Sequence, residues 1–244
     1  MNYEQLDEYT FGQLKDMAGK MDIPIKRSKL LLVNEIKDAL KEYEHYKHTK
    51  LDKYERKGQL GNKGKEGITY LVETRKGKEY AMKTFRKQKS SATLRKEAEL
   101  QKRAAGEDAA PNVIDIDTVS KYIVMEKMDK HLVDIMKTQD GNIKESQQKQ
   151  IIKLYKKMDT AGVFHGDSNL MNYMIRKGQI YMIDFGMAKE INSSLIKTLK
   201  TSTPNMDIMT LGIILKLKEL GCPESSYSVF KKYLTSDQLE KFKI

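Results

Sequence analysis

The chain has 244 residues, a formal net charge of +11 at pH 7 and one cysteine, Cys222. This length can hold one bilobal domain with a small appendage, or two modest domains, and a single cysteine excludes an internal disulfide. No apolar run reaches the roughly 20 residues that cross a bilayer, and the first ten residues lack the basic-then-apolar pattern of a signal peptide. We therefore expect a soluble protein of the cytoplasm or nucleus that makes no membrane contact.

Two helices separated by Pro24 are predicted first, because apolar side chains recur at helical spacing over residues 10–19 and 28–45. This order of helix, extended link and helix resembles a SAP-type module over residues 1–48. In that family such modules often bind DNA through basic residues that open the second helix. The corresponding residues here are Lys26, Arg27 and Lys29. Two interpretations stay open: binding of nucleic acid, or a helical pair with a docking or structural role.

Positive charge is concentrated after this module. Residues 1–50 contain nine Lys/Arg and nine Asp/Glu, whereas residues 51–103 contain sixteen Lys/Arg and seven Asp/Glu. A surface of that sign attracts the phosphates of nucleotides, nucleic acids and acidic proteins. A lysine-rich solvated face gives the same pattern. The basic segment is therefore a second candidate for contact with nucleic acid.

Helices and strands are both predicted after a polar linker near residues 45–57. Residues 57–128 have the pattern of several strands around one helix, and residues 143–244 have a mainly helical pattern. We expect one last helix over residues 225–242. The sequence therefore predicts an α+β domain after the helical module.

A glycine-rich segment, LGNKGKEGITYLV, opens the strand-rich part. Gly61, Gly64 and Gly67 allow backbone amides to approach phosphate oxygens without a side chain between them. Lys83 lies sixteen residues beyond Gly67 and two beyond Ala81, so that Ala81 and Lys83 share one face of a strand. We predict that Ala81 covers an adenine ring and that Lys83 reaches phosphates. Taken separately, three glycines in a lysine-rich loop are more typical of an ordinary turn, and a lone lysine on a strand is more typical of a solvent-facing position.

The most informative pattern is FHGDSNLMNYMI followed by YMIDFGMAKE. Asp167 and Asn172 are five residues apart, a spacing that lets one short loop present a carboxylate and an amide. We predict that Asp167 orients an acceptor hydroxyl and takes its proton, while Asn172 and Asp184 bind a magnesium ion on the phosphates of ATP. An acidic loop between core strands is the alternative. It does not account for the order of the motifs after a glycine-rich loop and a lysine.

These motifs resemble the protein-kinase-like superfamily over about residues 55–220. The resemblance implies a bilobal kinase fold, with an N-lobe and hinge over residues 55–128 and a shortened C-lobe over residues 129–244. It implies ATP and Mg²⁺ as cofactors and a protein as substrate. It also implies that Lys83 pairs with a glutamate of the helix after the third strand.

Further site residues follow from the same resemblance. Glu97 matches the ion-pair partner of the strand lysine, with Glu99 in reserve, and Asp207 matches the aspartate that braces the catalytic loop. An exposed glutamate and a helix-capping aspartate would have the same local sequence. The hinge and adenine site correspond to Met125 as gatekeeper, the backbones of Glu126 and Met128, and Met174 as the floor.

Departures from the pattern narrow the subfamily. Gly166 replaces the arginine that precedes the catalytic aspartate in many regulated kinases, and Asn169 replaces the usual lysine. Only twenty residues separate Gly186 from Asp207, which is too few for a full activation segment. This plan resembles the RIO kinases, the small kinase of the KEOPS complex and compact kinases of large DNA viruses. We expect a protein partner to complete the short C-lobe.

Three functions are consistent with these residues. The leading one is an atypical serine/threonine protein kinase with ATPase activity. The second is a small-molecule kinase, because aminoglycoside and choline phosphotransferases also use HGDxxxxN. The third is a non-catalytic pseudokinase that the first module tethers to DNA. Retention of Lys83, Glu97, Asp167, Asn172 and Asp184 favours an enzyme.

Overall fold

The computed structural model describes residues 3–21, 23–50, 53–61, 64 and 66–244, without the side chains of residues 3, 4 and 41–50. The chain divides into two compact units. The first consists of Met1–Leu94 and Ile116–Val124, and the second of Arg95–Asp115 and Met125–Ile244. No helix among the described residues is long and apolar enough to cross a membrane.

The first unit begins with a helical pair. A 3-10 turn, Tyr3–Glu8, precedes α1 (Phe11–Lys20) and α2 (Lys29–Lys50). Thr10 and Gln13 form a capping box, in which each side chain accepts a hydrogen bond from the other's backbone N–H and starts α1. The helices bury an apolar cluster drawn from this segment alone: Leu6, Leu14, Ala18, Leu32, Val33 and Ile36. Both predicted helices are present, and the likeness to a SAP-type module stays a prediction.

A five-stranded sheet follows in the described part of the chain, with strand order β1-β2-β3-β5-β4. Strand β2 pairs with both β1 and β3 in antiparallel register. Tyr, Val and Met side chains on one face form its core. Its elements, with the helix that follows β3, are β1 (Tyr54–Leu60), β2 (Gly67–Thr74), β3 (Glu79–Phe85), α3 (Ser91–Gly106), β4 (Val113–Asp117) and β5 (Tyr122–Glu126). The boundary between the two units falls inside α3, β4 and β5.

The second unit packs around α5, whose buried side chains recur at helical spacing and enter a large apolar core. Strand β8 lies between β6 and β9 in one small sheet, and β7 pairs with β10 in another. Its elements are β6 (Lys130–His131), α4 (Leu132–Lys137), α5 (Glu145–Thr160), β7 (Val163–Phe164), β8 (Tyr173–Arg176), β9 (Gln179–Met182), β10 (Lys189–Glu190), α6 (Ser193–Leu199), α7 (Thr210–Glu219), α8 (Ser228–Lys231) and α9 (Ser236–Lys241). A π-helical turn, Asn205–Met209, leads into α7.

The end of the chain differs from the expected single helix over residues 225–242. The structure has two short helices there, α8 and α9. Thr235 interrupts the helix, because its side chain accepts a hydrogen bond from the N–H of Gln238 while the Gln238 side chain accepts one from the N–H of Thr235. This capping box starts a new helix instead of continuing the first one. The prediction of one helix is therefore wrong.

Candidate active site

The loop from Asp167 to Asn172 connects β7 with β8. One oxygen of the Asp167 carboxylate accepts a hydrogen bond from the side-chain amide of Asn172, at 2.9 Å. The other oxygen accepts one from the backbone N–H of Asn169, at 3.0 Å. The Asn169 side chain accepts the N–H of Met171, also at 3.0 Å. Because all of these bonds are local, this short sequence by itself fixes the direction of the carboxylate.

His165 connects this loop to the segment that carries Asp184. Its ring is fully buried, with Nδ1 3.1 Å from the carbonyl oxygen of Asp167 and Nε2 3.0 Å from that of Ile183. The ring of Phe185 lies edge-on to it, with 5.1 Å between centroids. Two carbonyl acceptors favour a protonated ring, but burial is the larger effect and lowers the pKa of His165 below its ordinary value. A neutral ring donates to one of the two carbonyls.

Asp184 is held close to Asn172 through the main chain. The carbonyl oxygen of Asn172 accepts the N–H of Ile183, the residue before Asp184, at 2.9 Å. Asp184 is exposed and has a left-handed backbone with φ of 64°. That conformation costs a non-glycine residue about 1–3 kcal/mol and is concentrated at functional sites. The structure therefore brings the predicted residues Asp167, Asn172 and Asp184 together in the second unit.

Asn172 and Asp184 fit a magnesium ion chemically. Mg²⁺ prefers oxygen ligands, usually one or two carboxylates together with phosphates and waters. Asp184 offers a carboxylate. The Asn172 amide nitrogen donates to Asp167, so the amide oxygen of Asn172 is the atom that can face a metal.

Asn205 braces the segment that leads into the loop of Asp167, and sequence reasoning missed it. Its side-chain oxygen accepts the N–H of His165 at 3.1 Å, and its amide nitrogen donates to the carbonyl of Val163 at 2.8 Å. The same nitrogen donates to the Asp159 carboxylate at 2.7 Å. Burial raises the pKa of that carboxyl, although the hydrogen bonds from Asn205 and Met206 oppose the effect.

The expectation that Asp207 is this brace is therefore wrong. Asp207 instead accepts hydrogen bonds from the hydroxyl groups of Thr201 and Thr203. The π-helical turn carries both Asn205 and Asp207, two residues apart, and no motif in the sequence marks which of them faces the loop. An asparagine can both donate and accept, as the contacts with His165 and Asp159 require.

Two glycines allow close approaches around the loop. Gly166 has a φ of +78°, a conformation that L side chains rarely adopt. A Cβ on Gly212 of α7 would lie 2.3 Å from the hydroxyl oxygen of Ser168. Gly166 therefore supports the backbone turn before Asp167, and Gly212 lets α7 contact the loop directly.

The predicted hinge is held by polar contacts within the second unit. The backbone N–H of Glu126 donates to the carbonyl of Asn112 at 3.0 Å, and its carboxylate forms an ion pair with Arg176 at 2.8 Å. Burial opposes ionisation of Glu126, but the contacts with Arg176 and Asn112 together lower its pKa below the ordinary value. Sequence reasoning did not identify Arg176. The predicted gatekeeper, hinge and floor methionines are wholly or partly buried: Met125, Met128 and Met174.

Glu97 and Glu99 lie on α3 and belong to the second unit. Glu97 is only 4% exposed, whereas Glu99 is exposed. A buried glutamate is rare unless its charge is paired. The burial therefore favours Glu97 over Glu99 as the ion-pair partner.

In the first unit, Ala81 and Lys83 lie on β3 as predicted, two residues apart. The Lys83 ammonium is 3.7 Å from the Glu66 carboxylate, and Lys89 lies 2.8 Å from the same carboxylate. Glu66 belongs to the glycine-rich segment. An acidic residue of that segment therefore lies beside the lysine predicted to bind phosphate, a contact that sequence reasoning missed.

The three predicted glycines have different local roles. Gly67 pairs with Phe85, and a Cβ there would lie 1.8 Å from the carbonyl oxygen of Thr84. Gly61 has a φ of +69°, and a Cβ on Gly64 would meet an ordinary contact at 3.5 Å. Gly67 is therefore required for strand pairing, while Gly64 is not restricted by packing. The intervening residues Asn62, Lys63 and Lys65 lie outside the described part of the chain.

Comparison with known proteins gives a family and two archaeal relatives. The protein kinase domain family matches residues 54–215. A probable serine/threonine-protein kinase BUD32 homolog of Archaeoglobus fulgidus is 28% identical over 118 residues, covering 48% of this chain and 57% of that protein. The KEOPS complex subunit Bud32 of Pyrococcus abyssi is 30% identical over 80 residues, covering 32% and 36%.

The similarity to these relatives is partial, since the chain spans about half of the first and about a third of the second. The family match is broader and includes the glycine-rich segment, Lys83, Glu97 and the loop from Asp167 to Asn172. It covers well over half of the 244 residues. The chain therefore belongs to the protein kinase family.

Proposed function

We propose that this protein is an atypical serine/threonine protein kinase that transfers the γ-phosphate of ATP to a hydroxyl group of a protein. The observation that carries the proposal is the hydrogen bond between Asn172 and Asp167 on a loop that His165 ties to the segment of Asp184. Family membership supports a kinase in general, and the similarity to the probable serine/threonine-protein kinase of Archaeoglobus supports the serine/threonine class.

In this proposal Asp167 acts on the acceptor. Its carboxylate is directed by Asn172 and by the Asn169 N–H, and it takes the proton of the attacking hydroxyl as the new phosphorus–oxygen bond forms. The two oxygen ligands, Asn172 and Asp184, hold magnesium. The bound ion neutralises charge on the transferred phosphate.

The remaining predicted residues bind the nucleotide. Lys83 contacts phosphates and pairs with Glu97, which orients its ammonium. Backbone amides of the glycine-rich segment cover the phosphates, and apolar side chains enclose the adenine. The residues proposed for these contacts are Gly61, Gly64, Gly67, Ala81, Met125, Glu126, Met128 and Met174.

Domain limits and partners are part of the same proposal. We assign a helical module to residues 1–48, an N-lobe and hinge to residues 55–128 and a short C-lobe to residues 129–244. One relative is named as a subunit of the KEOPS complex, which supports a protein partner here as well. Contact with nucleic acid and a cytoplasmic or nuclear location remain proposals based on charge and on the single cysteine.

Incubation of the purified protein with labelled ATP and Mg²⁺ tests this function. We expect autophosphorylation on serine or threonine, or phosphorylation of added protein, together with release of some phosphate. Asp167→Asn preserves the shape of the side chain and should abolish transfer, as should Asp184→Asn. Lys137→Ala is a control, because that lysine is exposed and pairs locally with Asp134.

Other outcomes separate the alternatives. Phosphate release with no labelled protein would indicate an ATPase, and turnover of a small alcohol without protein labelling would indicate a small-molecule kinase. Absence of all three activities in wild type would refute catalysis and leave the pseudokinase interpretation.

A further inference from the structure

Arg103, near the end of α3, contacts two other segments of the second unit. Its Nε and Nη2 atoms donate to the carbonyl oxygen of Ala161 at 3.2 and 2.9 Å, and Nη2 also reaches the carbonyl of Gly162 at 3.3 Å. Its Nη1 atom forms an ion pair with Glu190 at 2.8 Å. One guanidinium thus joins α3 to the turn after α5 and to β10.

The turn after α5 suits a guanidinium both electrically and sterically. Ala161 is the C-cap of α5, where unpaired carbonyls and the helix dipole give a negative potential. Gly162 has a φ of +67°, and a Cβ there would lie 2.6 Å from Nη2 of Arg103. Glycine at this position therefore leaves the space that Arg103 occupies.

Both contacted segments lead directly to the proposed catalytic groups. Gly162 precedes β7, which ends at Phe164, and His165 follows at once with Asp167 two residues later. Glu190 belongs to β10, which follows Asp184 and pairs with β7. Arg103 therefore contacts the chain close to both loops of the proposed site, the one that carries Asp167 and the one that carries Asp184.

Arg103 lies six residues after Glu97 on the same helix. The helix is anchored on both sides of Arg103, since Leu100, Ala104 and Ala105 belong to the same apolar core as α5. Glu97 and Arg103 are fewer than two helical turns apart, so a rigid helix fixes the position of one relative to the other. Fixing Arg103 therefore restricts where Glu97 can lie relative to Asp167 and Asp184.

We infer that Arg103 is a positioning residue that couples α3, and with it Glu97, to the loops of Asp167 and Asp184. The inference rests on the proposed function for its kinetic consequence. The coupling holds Glu97 in its catalytic position without a phosphorylated activation segment, for which the chain has little room. Arg103 then sustains the turnover rate of the kinase rather than its affinity for ATP.

Kinetics of four variants test the coupling, each corrected for the folded fraction. Arg103→Ala should lower kcat about tenfold or more with little change in the KM for ATP, because small misplacements of catalytic groups lower rates strongly. Arg103→Lys should recover little, since an ammonium cannot contact two carbonyls and a carboxylate with fork geometry. Glu190→Gln should have a smaller effect, and Lys102→Ala, the exposed neighbour, should have none.

A double mutant identifies the route of the effect. If Arg103 acts through Glu97, Arg103→Ala should lower kcat no further in a Glu97→Gln background. Additive losses would overturn the coupling to Glu97. An unchanged kcat per folded molecule, with only a lower Tm, would overturn the positioning role. If Arg103→Ala does not fold, the same measurements on Arg103→Lys and Glu190→Gln test the coupling to Glu97 and the positioning role.

Hydrogen exchange provides a measurement that is independent of activity. In full-length Arg103→Ala, the amides of β7 and β10 and of residues 165–167 should exchange faster than in Lys102→Ala. Unchanged exchange would overturn the coupling even if wild type had no ATP turnover. An inactive wild type with faster exchange in the variant would instead refute the proposed function and retain the mechanical link.

Discussion

Asn205 is fully buried, and its side chain contacts His165, Val163 and Asp159. We expect Asn205→Ala to lower the free energy of unfolding by about 2–4 kcal/mol, because it leaves buried donors and a carboxylate without partners. Urea denaturation measures the change. Asp207→Ala is the matched control from the same helical turn and should cost about 1 kcal/mol or less. Equal losses in the two variants would contradict the assignment of the brace to Asn205.

The buried ring of His165 should make the stability of the protein depend on pH. Burial lowers the pKa of its folded form below the ordinary value of 6.5, so the unfolded chain takes up a proton at a pH where the folded chain does not. The free energy of unfolding should therefore fall as the pH decreases below about 6.5, by at most about 1.4 kcal/mol per pH unit for this group.

The variant His165→Gln isolates that contribution. It lacks the titrating ring, so its stability deficit relative to wild type should shrink as the pH falls from about 7.5 to about 5.5. Urea denaturation at several pH values follows the deficit. A deficit that stays constant over this range would show that His165 does not titrate differently in the folded and unfolded states.

At the scale of the element, Gly67 of β2 and Gly64 of the segment before β2 differ in what they contribute. Gly67→Ala should destabilise the protein by more than about 2 kcal/mol, because its Cβ would overlap the Thr84 carbonyl at 1.8 Å and the strands would have to separate. Gly64→Ala should change the Tm little, because its Cβ would meet only an ordinary contact at 3.5 Å, and it should raise the KM for ATP, because the added methyl group would separate the backbone from the phosphates. Thermal unfolding and ATP kinetics of both variants check this. A Gly67→Ala protein as stable as wild type would refute the packing argument.

The sequence predicted those features that depend on residues close together in the chain. Asp167, Asn172 and Asp184 come together through contacts of neighbouring residues, and motif spacing carries such information. The 3.6-residue period likewise predicted α1 and α2. Asn205 could not be found in this way, since its partner His165 is forty residues distant and depends on how the π-helical turn packs. The contacts of Arg103 with Ala161 and Glu190 are similarly remote in sequence.

At the scale of the whole molecule, the division into two units separates the proposed site residues. Lys83 and the glycines belong to the first unit, whereas Glu97, Asp167, Asn172 and Asp184 belong to the second. The proposed lobe limits stay a prediction. The division into compact units falls near Leu94 of α3, and the later part of this helix joins the second unit. Burial of its alanines in the core around α5 explains this assignment. Periodicity within one helix does not indicate which core the helix enters.

Contact with nucleic acid is part of our proposal, and the charge distribution predicts which part of the chain would make it. The +11 net charge comes from residues beyond 50, because residues 1–50 are electrically neutral. Within the helical module, Lys26 pairs with Glu35 at 3.1 Å and Lys29 donates to the carbonyl of Asp7 at 3.0 Å. These two lysines must break their present contacts before they can bind phosphates. This cost reduces the affinity for nucleic acid that they can contribute.

Deletion of residues 1–50 should therefore leave retention on a DNA column, and its decrease with salt, almost unchanged. The slope of log affinity against log salt reports the number of phosphates neutralised, so it should be equal for the full-length and shortened proteins. ATP turnover should also persist, because the module buries its own apolar cluster. Loss of DNA retention with turnover intact would instead identify the module as the nucleic-acid anchor. Loss of turnover would show that the kinase fold requires the module, contrary to the proposed domain limits.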